Sequence, residues 1–95
     1  MLLSKLTADI EGLLDSNQVD PEIKRVTHDS REVIEGDIFC CLRGKTTDGH
    51  NYIQEAIDSG ASALLAEKVS GLDIPTFLVE NVRAVLPLVA SRIVG

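Results

Sequence analysis

The stretch Arg43-Gly44-Lys45-Thr46-Thr47-Asp48-Gly49-His50 contains the Gly-Lys-Thr that closes a phosphate-cradling P-loop. Such a loop needs a glycine five residues before the Gly-Lys pair, so that the backbone can curl its N–H groups around the anion. Counting back from Gly44 gives Phe39, inside the apolar run Ile38-Phe39-Cys40-Cys41-Leu42. A strand is expected there, and the helix that should begin at the lysine has no signal before Asp48. The loop therefore has another role. A second polar stretch, Thr27-His28-Asp29-Ser30-Arg31-Glu32, adds a hydroxyl and a cation to those of Thr46, Thr47, Arg43 and Lys45. Together the two stretches offer hydroxyls, positive charge, free backbone amides and a helix N-terminus near Gly49, a set suited to a small anionic ligand.

His28 and His50 each have an aspartate nearby, the composition of a proton-transfer dyad, but no nucleophile accompanies them. No catalytic residue is expected in these 95 residues, and the spacing of His and carboxylates suggests no metal site. Cys40 and Cys41 are neighbours on the expected strand, where alternate side chains point to opposite faces. They read as buried, inert thiols, neither disulfide nor metal pair.

Ninety-five residues, 44% hydrophobic and 25% charged, are enough for one modest globular core. The net charge of -6 opposes broad nucleic-acid binding. Between Lys24 and His50, however, five basic residues balance five acidic ones, so the whole deficit lies outside the segment holding both polar stretches. No apolar run reaches the length of a membrane span, and charges at Lys5, Asp9 and Glu11 interrupt any signal-peptide core, so a cytoplasmic location is expected.

The elements that must position these loops follow from periodicity. Leu3, Leu6, Ile10, Leu13 and Leu14 predict a first helix over about residues 2–14, weakened by Gly12. Turn-rich Asp15-Ser16-Asn17 and Asp20-Pro21 follow, then a short strand from Ile23 to His28. Glu35-Gly36-Asp37 turns the chain into the strand 38–42, apolar on both faces as a covered central strand should be. Asp48 caps a helix with apolar positions Tyr52, Ile53, Ala56 and Ile57, stopped by Gly60. Strand 63–66, a turn through Ser70-Gly71 to Pro75, strand 76–79 and a last helix from Asn81 to about Ile93 complete the chain. Pro87 is expected to kink that helix or delay its start, at about 3 kcal/mol. The alternation implies an α/β domain whose mixed, partly parallel sheet of four to five strands is flanked by helices. Ligands of such sheets gather beyond the carboxyl ends of the strands, where both polar loops would meet if their strands are parallel neighbours.

The ordered set Asp29-Ser30-Arg31, Gly36-Asp37, Phe39, Gly44, Asp48-Gly49-His50, Tyr52, Ala56-Ile57 and Gly60-Ala61 resembles the N-terminal domain of the Mur ligases, which build the peptidoglycan stem peptide. The pattern is most similar to the tripeptide-synthetase (MurE) branch, on the strength of Tyr52-Ile53 and the spacing of Ala-Ile from Gly-Ala. The resemblance implies a domain that binds the UDP part of UDP-N-acetylmuramoyl-L-Ala-D-Glu, with His28, Ser30, Lys45, Thr46 and Thr47 as contact residues. It further implies a parent ligase using ATP and Mg2+ to add meso-diaminopimelate or L-Lys, its central ATP-binding and C-terminal domains lying outside these residues. The alternatives are the corresponding domain of the D-alanyl-D-alanine-adding ligases (MurF) and a free-standing α/β regulatory or interaction module.

Overall fold

The computed structural model describes residues 1–16, 18–68 and 72–94. Asn17, Ser70 and Gly71, named above in turns, lie outside the described residues. In chain order the elements are α1 (Leu3–Leu6), β1 (Leu13–Asp15), β2 (Arg25–Thr27), β3 (Asp37–Cys40), α2 (Ile53–Asp58), β4 (Ala63–Ala66), β5 (Thr76–Leu78) and α3 (Val82–Val94). One sheet of order β1-β5-β4-β3-β2 joins them. Its β2-β3, β3-β4 and β4-β5 pairings are parallel, and only β1 runs antiparallel, against β5.

Period-two alternation in the central strands feeds both faces. Ile38 and Cys40 of β3, with Ala63 and Leu65 of β4, pack against α1 and α3 through Leu3, Leu6, Val82 and Val89. Phe39 and Cys41, with Leu64 and Ala66, pack on the other side against Ile53 and Ala56 of α2. The two cysteines therefore face opposite layers, both fully buried and unpaired. Burial pushes both thiols up, Cys41 to about 12 with the charges of Asp48 and Glu67 adding to the shift. Neither should react with a thiol reagent at pH 8 in the folded state, and both should react once urea unfolds the chain. Labelling of either cysteine at a rate independent of denaturant would contradict this burial.

The first helix is much shorter than its periodicity predicts. It ends at Leu6, and Asp9 adopts a left-handed φ of 63°. Arg92 of α3 donates to the carbonyls of Leu6 and Ala8 at 2.9 and 2.6 Å, taking over the helix end. Leu13 and Leu14, which fit the helical stripe, instead pair with Leu78 and Phe77 as an edge strand. A short apolar run fits both periods, and here the free edge of β5 decides between them. Gly12 reflects this pairing, because a Cβ there would lie 2.7 Å from the Leu78 carbonyl oxygen and 2.8 Å from the Phe77 ring.

The remaining elements depart from expectation by a residue or two, except that α2 begins only at Ile53, after a 3-10 turn over Gly49–Tyr52. β2 begins at Arg25 because the Ile23 amide is bonded to Met1 O and the Lys24 amide to Gly36 O. Gly36 turns with φ 95°, and Gly60 ends the α2 segment with φ 104°. Tyr52 is not part of the apolar stripe of α2; it stands 41% exposed. Helix α3 starts on time, one residue after Asn81, and runs through Pro87 to Val94. The Asn81 side chain accepts from the Ala84 amide, and Glu67 from the Val82 amide, so two caps stabilise the start that proline was expected to delay.

Candidate functional site

Because β2 and β3 are parallel neighbours, with Val26 opposite Ile38, the segments that leave them emerge on one edge of the sheet. The segment after β2 bends at once. The Asp29 carboxylate accepts from the Arg31 amide at 2.9 Å and opens a 3-10 turn, Ser30–Glu32. The same carboxylate takes two bonds from the Arg31 guanidinium, each 3.0 Å, which hold Asp29 below its ordinary pKa. Asp29 and Arg31 thus largely satisfy each other.

The segment after β3 is held just as tightly. Arg43 and Asp48 form an antiparallel bridge, and the Gly44 amide bonds Thr47 O at 2.7 Å, closing a compact loop with Lys45 and Thr46 exposed at its tip. Asp48 then opens the 3-10 turn Gly49–Tyr52 that leads into α2. Its Oδ1 accepts from the His50 amide at 2.9 Å and lies 2.6 Å from the ring Nδ1. His50 Nε2 in turn accepts from the Glu67 amide at 3.0 Å, which assigns the ring proton to Nδ1 and leaves neither nitrogen free. His50 is therefore a clamp between this loop and the end of β4. Asp48 takes the cap position expected of it, and the helix N-terminus near Gly49 expected to favour a negative ligand is corrected: the Asp48 carboxylate is the negative group there, and the Gly49 amide is spent on Leu42 O at 2.7 Å.

The amide and ring of His50 hold the Asp48 carboxyl down at about 2, from an ordinary 3.8. With the folded value depressed, the stabilisation is complete above 3.8 and is lost as pH falls through about 2. A carboxyl titration followed by carbon NMR should therefore show Asp48 still ionised at pH 3, whereas a midpoint near 4 would mean that the clamp is open in solution.

Between the two segments lies a cleft of about 480 Å³ lined by His28, Asp29, Ser30, Arg31, Phe39, Thr47, Tyr52 and Glu55. Of the five residues expected to contact a ligand, it brings together His28, Ser30 and Thr47. Lys45 and Thr46 are not among its lining residues. Five lining residues come from beyond the expected set, Asp29, Arg31, Phe39, Tyr52 and Glu55; the last two stand three residues apart at the start of α2, outside its Ile53/Ala56 buried stripe. That helical spacing, with neither residue needed by the core, was the available signal. Ser30, only 8% exposed, donates from Oγ to Glu55 Oε1 at 2.6 Å across 25 residues of sequence.

A second recess on the same edge is bounded by Arg43, Glu67, Glu80, Asn81 and Arg83. Here Arg43 lies 2.8 Å from Glu67 Oε1 as an ion pair, and Arg83 donates to Arg43 O at 3.1 Å, so the loop is braced against α3. Among the described residues no group of three or more His, Cys, Asp or Glu could hold a metal ion. Nor is any described helix long and apolar enough to cross a membrane.

Comparison with known proteins points in one direction. Residues 22–92 match the model of the Mur ligase family, catalytic domain. The UDP-N-acetylmuramoyl-L-alanyl-D-glutamate--2,6-diaminopimelate ligase of Halalkalibacterium halodurans is 36% identical over 93 residues, covering 98% of this chain and 19% of that protein. Its counterpart in Geobacillus kaustophilus is 35% identical over 95 residues, with 100% and 19% covered. Among solved structures, MurF from Acinetobacter baumannii superposes with a TM-score of 0.78 at 26% identity, over 90% of this chain and 19% of that one. MurF ligase from Thermotoga maritima, solved with ADP, gives 0.65 at 39% identity, over 73% and 16%. The chain spans about a fifth of the length of the curated relatives it matches.

Proposed function

This chain belongs to the Mur ligase family, and on that premise we propose that its residues 1–95 are the domain that docks the UDP end of UDP-N-acetylmuramoyl-L-Ala-D-Glu. The observation that carries the reading is the parallel β2-β3 pairing, which sets the two motif-bearing segments around one cleft with His28, Ser30 and Thr47 on its walls. The exposed Lys45 and Thr46 stand at the loop tip beside it and would reach a diphosphate from outside, where a flexible ammonium acts well as a point charge.

The complete ligase, in this reading, is a cytoplasmic enzyme of peptidoglycan synthesis that joins diaminopimelate to the dipeptide substrate with ATP and Mg2+. The residues present here do not fit ATP and its metal. Phe39 is a buried member of β3 where a phosphate loop needs glycine, and among the described residues no carboxylate cluster stands ready for the cation. This domain's part is to bind and orient the nucleotide end of the substrate, so that remote binding energy holds the reacting carboxylate elsewhere in the protein. A second reading, docking for a D-alanyl-D-alanine-adding ligase, draws support from the MurF structures. The curated relatives at higher coverage favour diaminopimelate.

An amide NMR titration with UDP-N-acetylmuramoyl-L-Ala-D-Glu, UMP and ATP tests the docking role. Shifts should cluster at residues 28–31 and 45–49 with the uridine ligands only. Ser30→Ala and the double variant Thr46→Ala/Thr47→Ala should weaken binding about threefold to tenfold each, the worth of a hydrogen bond to a neutral hydroxyl. Equal responses to ATP and UMP, or shifts elsewhere on the molecule, would refute the assignment. Turnover by the native polypeptide with diaminopimelate rather than D-Ala-D-Ala would decide between the two ligase readings.

A further inference from the structure

Glu55 is an unexpected wall for a cleft meant to hold a doubly phosphorylated ligand. A carboxylate beside a diphosphate costs binding energy, and no cation is bonded to it: its described partner is the Ser30 hydroxyl, on Oε1. The other carboxylate of the cleft, Asp29, is consumed by Arg31 and by its own turn. Glu55 Oε2 has no described hydrogen-bond donor. The phosphate end of a nucleoside diphosphate cannot lie against such a group, but its base is neutral, and uracil carries an acidic imide N3–H that needs an acceptor. Phe39 and Tyr52 line the same cleft, as suits a flat ring. Resting on the uridine-docking reading above, we infer that Glu55 determines base specificity by accepting the imide N3–H of uracil. Ser30 positions the carboxylate by donating to Oε1 and leaves Oε2 for the ligand.

The chemistry predicts discrimination in a definite direction. Cytosine presents a lone pair at N3, which would face the carboxylate unfavourably, and a methyl group at N3 removes the donor altogether. A site that hydrogen-bonds a ligand group rejects the analogue that lacks it: the Glu55 carboxylate, exposed in the free domain, would give up its water beneath the base and gain no donor in exchange.

The test is calorimetric binding of UDP, N3-methyl-UDP and CDP to the native polypeptide carrying this chain, compared with its Glu55→Ala and Glu55→Gln variants. In the unaltered protein, N3-methyl-UDP and CDP should bind at least about tenfold more weakly than UDP, the range of a hydrogen bond to a charged group. In Glu55→Ala, UDP and N3-methyl-UDP should bind alike. In Glu55→Gln the amide can turn its NH2 toward cytosine N3, so the preference for UDP over CDP should shrink. If Glu55 merely anchors Ser30, discrimination will be the same in all three proteins, and the inference fails while uridine docking stands. If UDP itself does not bind to the unaltered protein, the docking reading fails and takes the inference with it.

Discussion

Replacing Arg25 with alanine should destabilise the fold by about 1–3 kcal/mol, because it takes two hydrogen bonds from a carboxylate that the guanidinium itself covers, and water admitted by the truncation replaces them only in part. Asp37, at the start of β3, is 0% exposed. It receives two parallel bonds from Arg25, at 2.9 and 2.8 Å, and one from the Ile34 amide at 3.0 Å. The guanidinium is half exposed, so its own desolvation is small, and it also donates to Glu32 O at 3.0 Å. Burial pushes the Asp37 carboxyl up, but the Arg25 bonds, the Ile34 amide and the Arg25 charge together outweigh it, and the net shift is downward. The pair's stabilisation is thus complete above the ordinary value of 3.8 and is lost as pH falls through the lower folded value. Without Arg25 only the Ile34 amide opposes the burial, so the balance moves toward the neutral acid and the variant's deficit should narrow on acidification. Urea unfolding of both proteins at pH 7 and pH 3.5 measures this. A loss under about 0.5 kcal/mol at pH 7 would reduce the pair to an ordinary surface ion pair.

The Gly49→Ala variant should lose about 1–3 kcal/mol and, with it, the shape of the cleft. A Cβ at that position would lie 2.8 Å from Leu42 N and 3.0 Å from both Cys41 Cα and Leu42 O. These are backbone atoms at the end of β3, and they cannot rotate away. Gly44 is the control, since a Cβ there meets only Thr47 atoms at 3.4 Å and beyond. Gly44→Ala should therefore cost a few tenths of a kcal/mol at most. Thermal unfolding separates the two: for a domain of this size each kcal/mol shifts Tm by about 4–8 °C. On the docking role proposed above, the Gly49 variant should also bind uridine nucleotides more weakly, because Asp48, His50 and Thr47 are carried on the displaced segment. Equal Tm values for the two variants would mean that the loop lifts away from β3 without cost.

Both effects concern residues whose importance reads differently in one dimension and in three. Gly36-Asp37 and Asp48-Gly49-His50 stand out in the sequence as parts of a recurring pattern, and the turns and caps they form are local: Asp48 caps its own turn, Gly36 turns at positive φ. Local chemistry of that kind is written in neighbouring residues and needs nothing else to be legible. So are the alternation that buries both faces of β3 and β4 and the exclusion of a phosphate loop by Phe39. The sequence by itself thus determined the α/β class, the central strands, the helix caps and the two polar loops; that the loops meet at one edge depended on the parallel pairing of β2 with β3.

Tertiary structure decided what depends on partners far apart in the chain. The stripe from Leu3 to Leu14 fits a helix as well as a strand, and only the open edge of β5 and the reach of Arg92 turn its second half into β1. Asp37 became a buried ion-pair partner only because β2 brings Arg25 beside it across 12 residues. His50 became a structural clamp because β4 ends beneath it and offers the Glu67 amide to its second nitrogen. Glu55 acquired a place in the cleft through Ser30, 25 residues away. A carboxylate, an imidazole or a short leucine run carries the same local signal in any of these roles. What selects the role is the burial and the bonding partner supplied by a distant segment, and those exist only once the sheet has assembled.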